Sequence, residues 1–191
     1  MKLALELRGR SRPGLLDSFA AERLAADRHV LMVSDRLHQL AYRSVESART
    51  GIVPDPPTEA EVAAMVQSRS MLGVSYAGSS LVGEYPAGTP APRAPAPGDR
   101  YPDRAALAGA GHHLFLFGGA DAAGIDRLRR RWRGLVEIRD GVGDPGRAGL
   151  AAGGAVLVRP DGHIGFRAPA DSAGLGAVDS HLDSYLVPAN A

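Results

Sequence analysis

The side chains that could do chemistry in this 191-residue sequence fall into a few short clusters, and cysteine is in none of them because the chain has none. That removes disulfides, thiolate metal centres and thiol redox catalysis together. Ser180, His181 and Asp183 carry the residue types of a nucleophile–base–acid relay. They are near neighbours in a stretch that reads as helix, where adjacent side chains diverge. No Gly-x-Ser-x-Gly turn is present to lift a serine out of a sheet, so they read as the polar side of a helix. His112-His113 opens an apolar run with strand character. Consecutive strand residues point to opposite faces, and no acidic or histidine partner stands at helical spacing nearby, so the pair does not read as a metal site. His163 falls in a turn and is expected to be exposed. Gly141-Val-Gly-Asp-Pro-Gly146 fits the glycine spacing of a dinucleotide-binding loop. That chemistry needs a helix N-terminus aimed at the pyrophosphate. Pro145, Gly146, Gly149, Gly153 and Gly154 leave no room for one, and a flexible loop is expected. Arg127, Arg129, Arg130, Arg131 and Arg133 surround Trp132. Trp132 shares a helical stripe with Ile125 and Leu128, so the arginines read as a solvated face rather than a stacking platform for nucleic acid. No catalytic, cofactor-binding or metal-ligating residue is assigned.

Composition narrows the classes further. A net charge of +1 argues against bulk attraction to nucleic acid or to an anionic membrane. No apolar run is long enough to span a bilayer, and the first residues lack the pattern of an export signal; the expected location is the cytoplasm. Apolar residues make up 45% of the chain, enough for one core with an appendage.

The elements that must position these groups follow from pattern. Lys2–Arg8 is too short for its period to decide between helix and strand. Asp17 or Ser18 can cap a long helix in which Ala26, Val30, Val33, Leu37, Leu40 and Val45 recur at three and four residues, with Leu24 and Leu31 as a second stripe. Thr58-Glu-Ala-Glu61 is a capping box, opening a helix through Val62, Met65 and Val66. Met71–Val82 reads as an interrupted strand, and Gly83–Asp103, rich in Pro and Ala, as a surface linker. From about residue 98 a compact unit is expected. It has a strand at Leu114–Phe117, a helix at Asp121–Arg133, a strand at Leu135–Ile138, a hairpin at Gly154–Arg167 and a last helix at Asp179–Leu186 with Val178, Leu182 and Tyr185 inward. In the hairpin Pro160-Asp161-Gly162 is the turn, and Ile164 and Phe166 alternate with Gly165 and Arg167. The fold class is α/β: a small mixed sheet with flanking helices, ordered as in a thioredoxin-like layer, preceded by a helical arm.

Four stretches in series carry a resemblance. They are Lys2–Arg10, Leu15–Arg23, Pro97-Gly-Asp-Arg-Tyr-Pro-Asp103 and Val158-Arg-Pro-Asp-Gly162 followed by an aromatic and Arg167. Together they resemble the C-terminal portion of the FAD-dependent aromatic-ring hydroxylases of the phenol hydroxylase and aklavinone hydroxylase type. The resemblance implies a helix at Lys2–Arg8 and a thioredoxin-like domain without a redox pair. It divides the chain into a helical arm over 1–70, a strand and Pro-rich linker over 71–97, and the C-terminal domain over 98–191. It implies FAD as the family's cofactor, with the FAD, NAD(P)H and substrate motifs upstream of a chain that begins inside the larger enzyme, so FAD is not expected to bind this chain alone. It also implies that the arm, through Val30, Val33 and Leu37, is covered either by self-association or by a separate chain carrying the FAD domain. Two alternatives stand beside this: a stand-alone interaction module, and a small aromatic-ligand-binding protein with a redox-inactive thioredoxin-like fold.

Overall fold

A computed structural model describes residues 1–53, 55–69, 73–85, 94–107, 109–141, 144–151 and 153–188, with the backbone alone at residues 25 and 67–69. The chain divides into two compact units, one of Met1–Glu22 with Ser75–Ala191, the other Arg23–Val74.

The first unit is built on a five-stranded mixed sheet in the order β1-β5-β4-β2-β3. Its strands are β1 (Gly83–Glu84), β2 (His112–Phe117), β3 (Val136–Asp140), β4 (Gly154–Val158) and β5 (Ile164–Ala168). β2 runs parallel to β3 and antiparallel to β4; β4 and β5 form the antiparallel hairpin, and β1 lies parallel to β5. Helices α4 (Ala122–Arg131) and α5 (Ser172–Asp183) pack on one face. This is the strand–helix–strand, hairpin, helix succession that the pattern predicts.

Strand parity sorts the side chains. Leu114, Leu116, Ala155 and Leu157 join Leu128, Trp132, Leu175, Val178 and Leu182 under the helices. Phe115, Phe117, Val156 and Val158 form a second cluster with Tyr101, Ala148 and Leu150 on the other face. One expectation changes here. Ile164 and Phe166 do not share a face: Ile164 lies in the second cluster and Phe166 in the first. The ladder pairs Val158 with Ile164 and Leu157 with Phe166, leaving Gly165 as the extra residue of a β-bulge. A Cβ at Gly165 would sit 3.0 Å from Arg159 Cγ, so the bare backbone there lets the Arg159 side chain cross the strand.

Trp132 closes α4, fully buried, and its indole N–H donates to Asp179 on α5 at 2.8 Å. Asp179 also pairs with Arg131 at 3.0 Å, so the two helices are tied by a buried carboxylate. The arginines around Trp132 face outward or pair with acids, as their positions beside the stripe predict.

Two other expectations are corrected. Residues 73–82 are turns rather than strand, and Met71 and Leu72 lie outside the described residues. Ser79 decides this locally: its N–H reaches Tyr76 O at 2.8 Å and its hydroxyl takes the Leu81 N–H at 3.1 Å, a local bond that competes with a ladder. The linker is also less free than its composition suggests. It starts as edge strand β1, and residues 98–101 lie along the hairpin, with Gly98 N–H bonded to Ile164 O and Ile164 N–H to Asp99 O, both at 2.8 Å. Residues 86–93 of that stretch lie outside the described ones.

Near the N-terminus Lys2–Leu7 is helical (α1), and helix α2 spans Asp17–Thr50. Asp17 and Ser18 sit inside its first turn, so neither is the cap. In the second unit the Thr58 capping box forms, with Glu61 Oε2 taking the Thr58 N–H at 2.8 Å at the head of α3 (Glu59–Arg69). The α2 stripe is only partly covered. Ala26 is buried and Val33 and Leu37 are half-buried, while Leu24, Val30, Leu31, Leu40 and Val45 are exposed.

Candidate functional site

The hairpin turn builds a strongly charged buried centre in the first unit. Gly162 adopts φ +84°, open to glycine at little cost. Its N–H bonds to Arg159 O at 2.9 Å, and Arg159 N–H bonds to His163 O at 2.8 Å. Asp161 turns back to accept the His163 N–H at 3.2 Å, an Asx-type closure. The turn thereby holds Asp161 against Arg159, carboxylate to guanidinium at 2.5 Å.

The guanidinium, on a side chain only 4% exposed, then forks onto Glu22 in the first turns of α2, with Nη1 to Oε1 at 2.5 Å and Nη2 to Oε2 at 2.9 Å. Glu22 also accepts from Lys2 Nζ at 2.7 Å and from Ser79 Oγ at 2.5 Å. Lys2 Nζ reaches Ser18 Oγ as well, at 2.8 Å. The cluster therefore sets two cations against two anions, and a bidentate fork is the geometry in which arginine binds a carboxylate best. Burial pushes Glu22 upward, but the hydrogen bonds from Arg159, Lys2 and Ser79 outweigh it and hold the carboxyl below its ordinary value. Asp161 is likewise driven down: burial opposes the shift, and His163 and Arg159 override it. Burial pulls Arg159 down, yet Glu22 and Asp161 raise it overall. All three stay charged. The guanidinium is met on two sides by carboxylates, so the centre is a lock between chain segments far apart in sequence rather than a receptor for an anion.

His163 corrects an expectation: it is 2% exposed. Its ring packs on Tyr76 at 4.5 Å, and its Nδ1 stands 3.3 Å from Asp161. A turn residue becomes buried because residues 98–101 lie across it, with Arg100 bridging to His163. Arg167 is also buried. It donates to Gly149 O at 2.6 Å and pairs with Glu84 at 2.8 Å, so the second arginine of the hairpin staples β5 to β1 and to the loop before β4.

His112 and His113 point to opposite faces of β2, as strand parity requires. On the helix side His112 Nε2 stands 3.1 Å from the Tyr185 hydroxyl. Burial, with Arg159 adding to it, pushes His112 down to about 3. His181 stacks on Phe166 at 4.5 Å and is brought down to about 4, again chiefly by burial. On the other face His113 packs on Phe115 and stands 3.5 Å from Glu137. The described residues hold no cluster of three groups able to ligate a metal. The Ser180–His181–Asp183 trio makes no relay. Ser180 donates to Gly176 O at 3.0 Å, and Asp183 pairs with Arg12 and Arg131.

The glycine-rich stretch tests whether a dinucleotide would fit. Pro145–Ala148 is a four-residue 3-10 turn, and Asp144 takes the Gly146 N–H at 2.8 Å. Asp121 and Asp171 occupy the starts of α4 and α5 in the same way, on Gly124 and Gly174. At each start a carboxylate already fills the place of a phosphate, so these residues do not fit a flavin pyrophosphate. Val142 and Gly143 lie outside the described residues.

Among the described residues no helix is long and apolar enough to cross a membrane. Comparison with known proteins gives a family and a fold. The family model for the aromatic-ring hydroxylase C-terminal region matches residues 85–186. Among solved structures the chain is similar to BexE, which figures in oxidation during BE-7585A biosynthesis. It is 28% identical at a TM-score of 0.56, over 88% of this chain and 34% of that one. It is also similar to RebC, the rebeccamycin biosynthetic enzyme, solved with reduced flavin. That match is 23% identical at a TM-score of 0.60, over 95% of this chain and 38% of that one. The OxyS anhydrotetracycline hydroxylase from Streptomyces rimosus is 24% identical at a TM-score of 0.55, over 98% of this chain and 39% of that one. This chain thus spans well under half the length of each. A search of curated proteins finds none that matches this chain.

Proposed function

Because this chain belongs to the aromatic-ring hydroxylase C-terminal family, we propose that it is the C-terminal part of an FAD-dependent aromatic monooxygenase, polyketides being among the substrates in view, and that its own contribution is structural. The observation that carries this reading is the family match across residues 85–186, in a chain that covers 34% to 39% of its solved neighbours. In such an enzyme the flavin supplies the oxygen chemistry. This chain's residues hold segments together: Arg159 and Asp161 seat Glu22 and Lys2, and Arg167 ties the edge strand. The lack of cysteine removes thiol chemistry from the sheet.

The arm supports an assembly role. Val30 is exposed and Val33 and Leu37 are half-buried, on a helix whose neighbours Leu31 and Met32 are also exposed. An apolar strip of that kind marks a contact surface. Its cover in this reading is a second copy or a separate chain carrying the FAD domain, and the setting is cytoplasmic. Native mass spectrometry of the purified chain tests the proposal, alone and with a co-expressed FAD-domain chain. An oligomer or a complex in which flavin travels only with the other chain is the expected result. A flavin-sized increment on this chain alone overturns the structural reading.

A further inference from the structure

Among the described residues β3 is the end strand of the sheet and pairs only with β2. The ladder fixes which way its main chain points. His112 N–H bonds to Leu135 O at 2.9 Å and Gly141 N–H to Leu116 O. The odd-numbered residues of this strand therefore address β2, and alternation turns the C=O of Val136 and both main-chain groups of Ile138 and Asp140 away from the sheet; the Val136 N–H is taken by Trp132 O at 3.0 Å. The strand reads Val136-Glu-Ile-Arg-Asp140: Val136 and Ile138 pack toward the helix-side core, and Glu137 and Arg139 carry opposite charges on the other face.

We propose that this edge is a self-complementary strip through which two copies of the chain join their sheets about a two-fold axis at Ile138. Laid antiparallel with Ile138 opposite Ile138, Val136, Ile138 and Asp140 fall in hydrogen-bonded pairs; with the Val136 N–H already held by Trp132 O, the pairs make about four main-chain bonds. Glu137 and Arg139 then fall in the non-hydrogen-bonded pairs, where side chains approach most closely, and each faces its opposite charge on the second copy. The neighbouring registers that keep the same bonding groups place Glu137 opposite Glu137, or Arg139 opposite Arg139, and like charges directly opposed are unfavourable. Charge therefore selects a single register.

The side chains are held ready for it. Arg139 Nη2 pairs with Glu137 at 2.7 Å, and its Nη1 donates to Ala106 O at 2.7 Å, so both charges stay at the edge. Charged residues on an edge strand also serve to prevent pairing. Here the alternation matches itself in the central register, which a guard would avoid. The contact surface is isologous, as two-fold pairing requires. A strip five residues long makes a weak, concentration-dependent dimer. It rests on residues separate from the α2 stripe and on a different argument from the family reading.

Sedimentation velocity of the full chain over a dilution series tests it. The wild type is expected to dimerise. Glu137→Arg and Arg139→Glu are each expected to be monomeric with an unchanged far-UV spectrum and melting curve. An equimolar mixture of the two is expected to recover a one-to-one heterodimer, because their charges complement each other. Asp140→Pro is the second route should a charge variant fold poorly. It deletes an N–H directed away from β2 and leaves the ladder whole. A wild type that stays monomeric throughout overturns the proposal. So does a dimer indifferent to all three changes, or folded single variants that do not recombine. A dimer lost on Val33→Asp and kept in the edge variants belongs to the arm, and equally overturns it.

Discussion

The hairpin end of the sheet and the middle of α2 treat their apolar and charged residues in opposite ways. Around β4 and β5 both faces are buried, and even the charges are interior, with Arg159, Glu22 and Arg167 each under a tenth exposed. Along the second unit Leu31, Met32, Tyr42, Val45 and Val66 are all more than half exposed. The first region satisfies itself. The second carries more apolar surface than its own residues cover. Burial is thus concentrated in the sheet, and exposed apolar surface along the arm.

That contrast can be broken from either side. The largest effect is expected from Trp132→Ala, which empties a fully buried site and removes the indole hydrogen bond to Asp179; loss of about 3–5 kcal/mol should appear in urea unfolding. A mild change there would mean the two helices are not tied through this residue. Next comes Arg159→Met, which leaves buried Glu22 with Lys2 as its one remaining cationic partner, beside the Ser79 hydroxyl. Breaking a buried pair from one side costs about 3–5 kcal/mol, whereas replacing both partners with apolar groups recovers much of it. The double variant Glu22→Leu with Arg159→Met should therefore be more stable than Arg159→Met; equal instability of the two would refute the lock.

A smaller, graded effect concerns pH. His112 and His181 sit well below their ordinary value of 6.5 in the fold, pushed to about 3 and about 4. Each favours the neutral form on folding, so its contribution is whole above about 6.5 and declines as pH falls toward 4, where the unfolded chain takes up protons first. Glu22 and Asp161 are lowered carboxyls; their contribution holds above the ordinary carboxyl range, about 4, and is lost only below it. Between about pH 6.5 and 5 the histidines act alone. His181 and His113 are lowered by burial as well, so His112→Gln should reduce the slope of the melting temperature across that window without abolishing it, and an unchanged slope would assign the acid sensitivity to the other two. The smallest effect on stability belongs to Val33→Asp, a change on a half-buried position. It should leave unfolding of the sheet unit nearly untouched while altering subunit number by native mass spectrometry.

Much of this was legible in local pattern. The strands at Leu114–Phe117 and Leu135–Ile138, the helix with Trp132 on its apolar stripe, the Pro160-Asp161-Gly162 turn and the Thr58 capping box each depend on residues within a turn or two of one another. The opposed directions of His112 and His113 follow from strand parity alone. What escaped was long-range. His163 looked exposed because a turn usually is, and only the return of residues 98–101 covers it. The pairing of Ile164 and Phe166 went astray because a bulge at Gly165 shifts the face by one residue, and the reason for that glycine is the passage of Arg159 above it. The Glu22–Arg159 pair spans 137 positions, and no spacing rule reaches that far. The one available signal was an arginine beside a turn aspartate at the end of an apolar strand, where a charge needs a partner.

Composition and pattern settled the class of the fold, the element order and the exclusion of thiol chemistry, because periodicity, turn preference and the lack of a sulfur nucleophile are properties of neighbouring residues. Which charges meet inside the molecule, which faces stay open, and which strand is left at the edge depended on how distant segments pack, since burial and pairing are set by contacts that no local window contains.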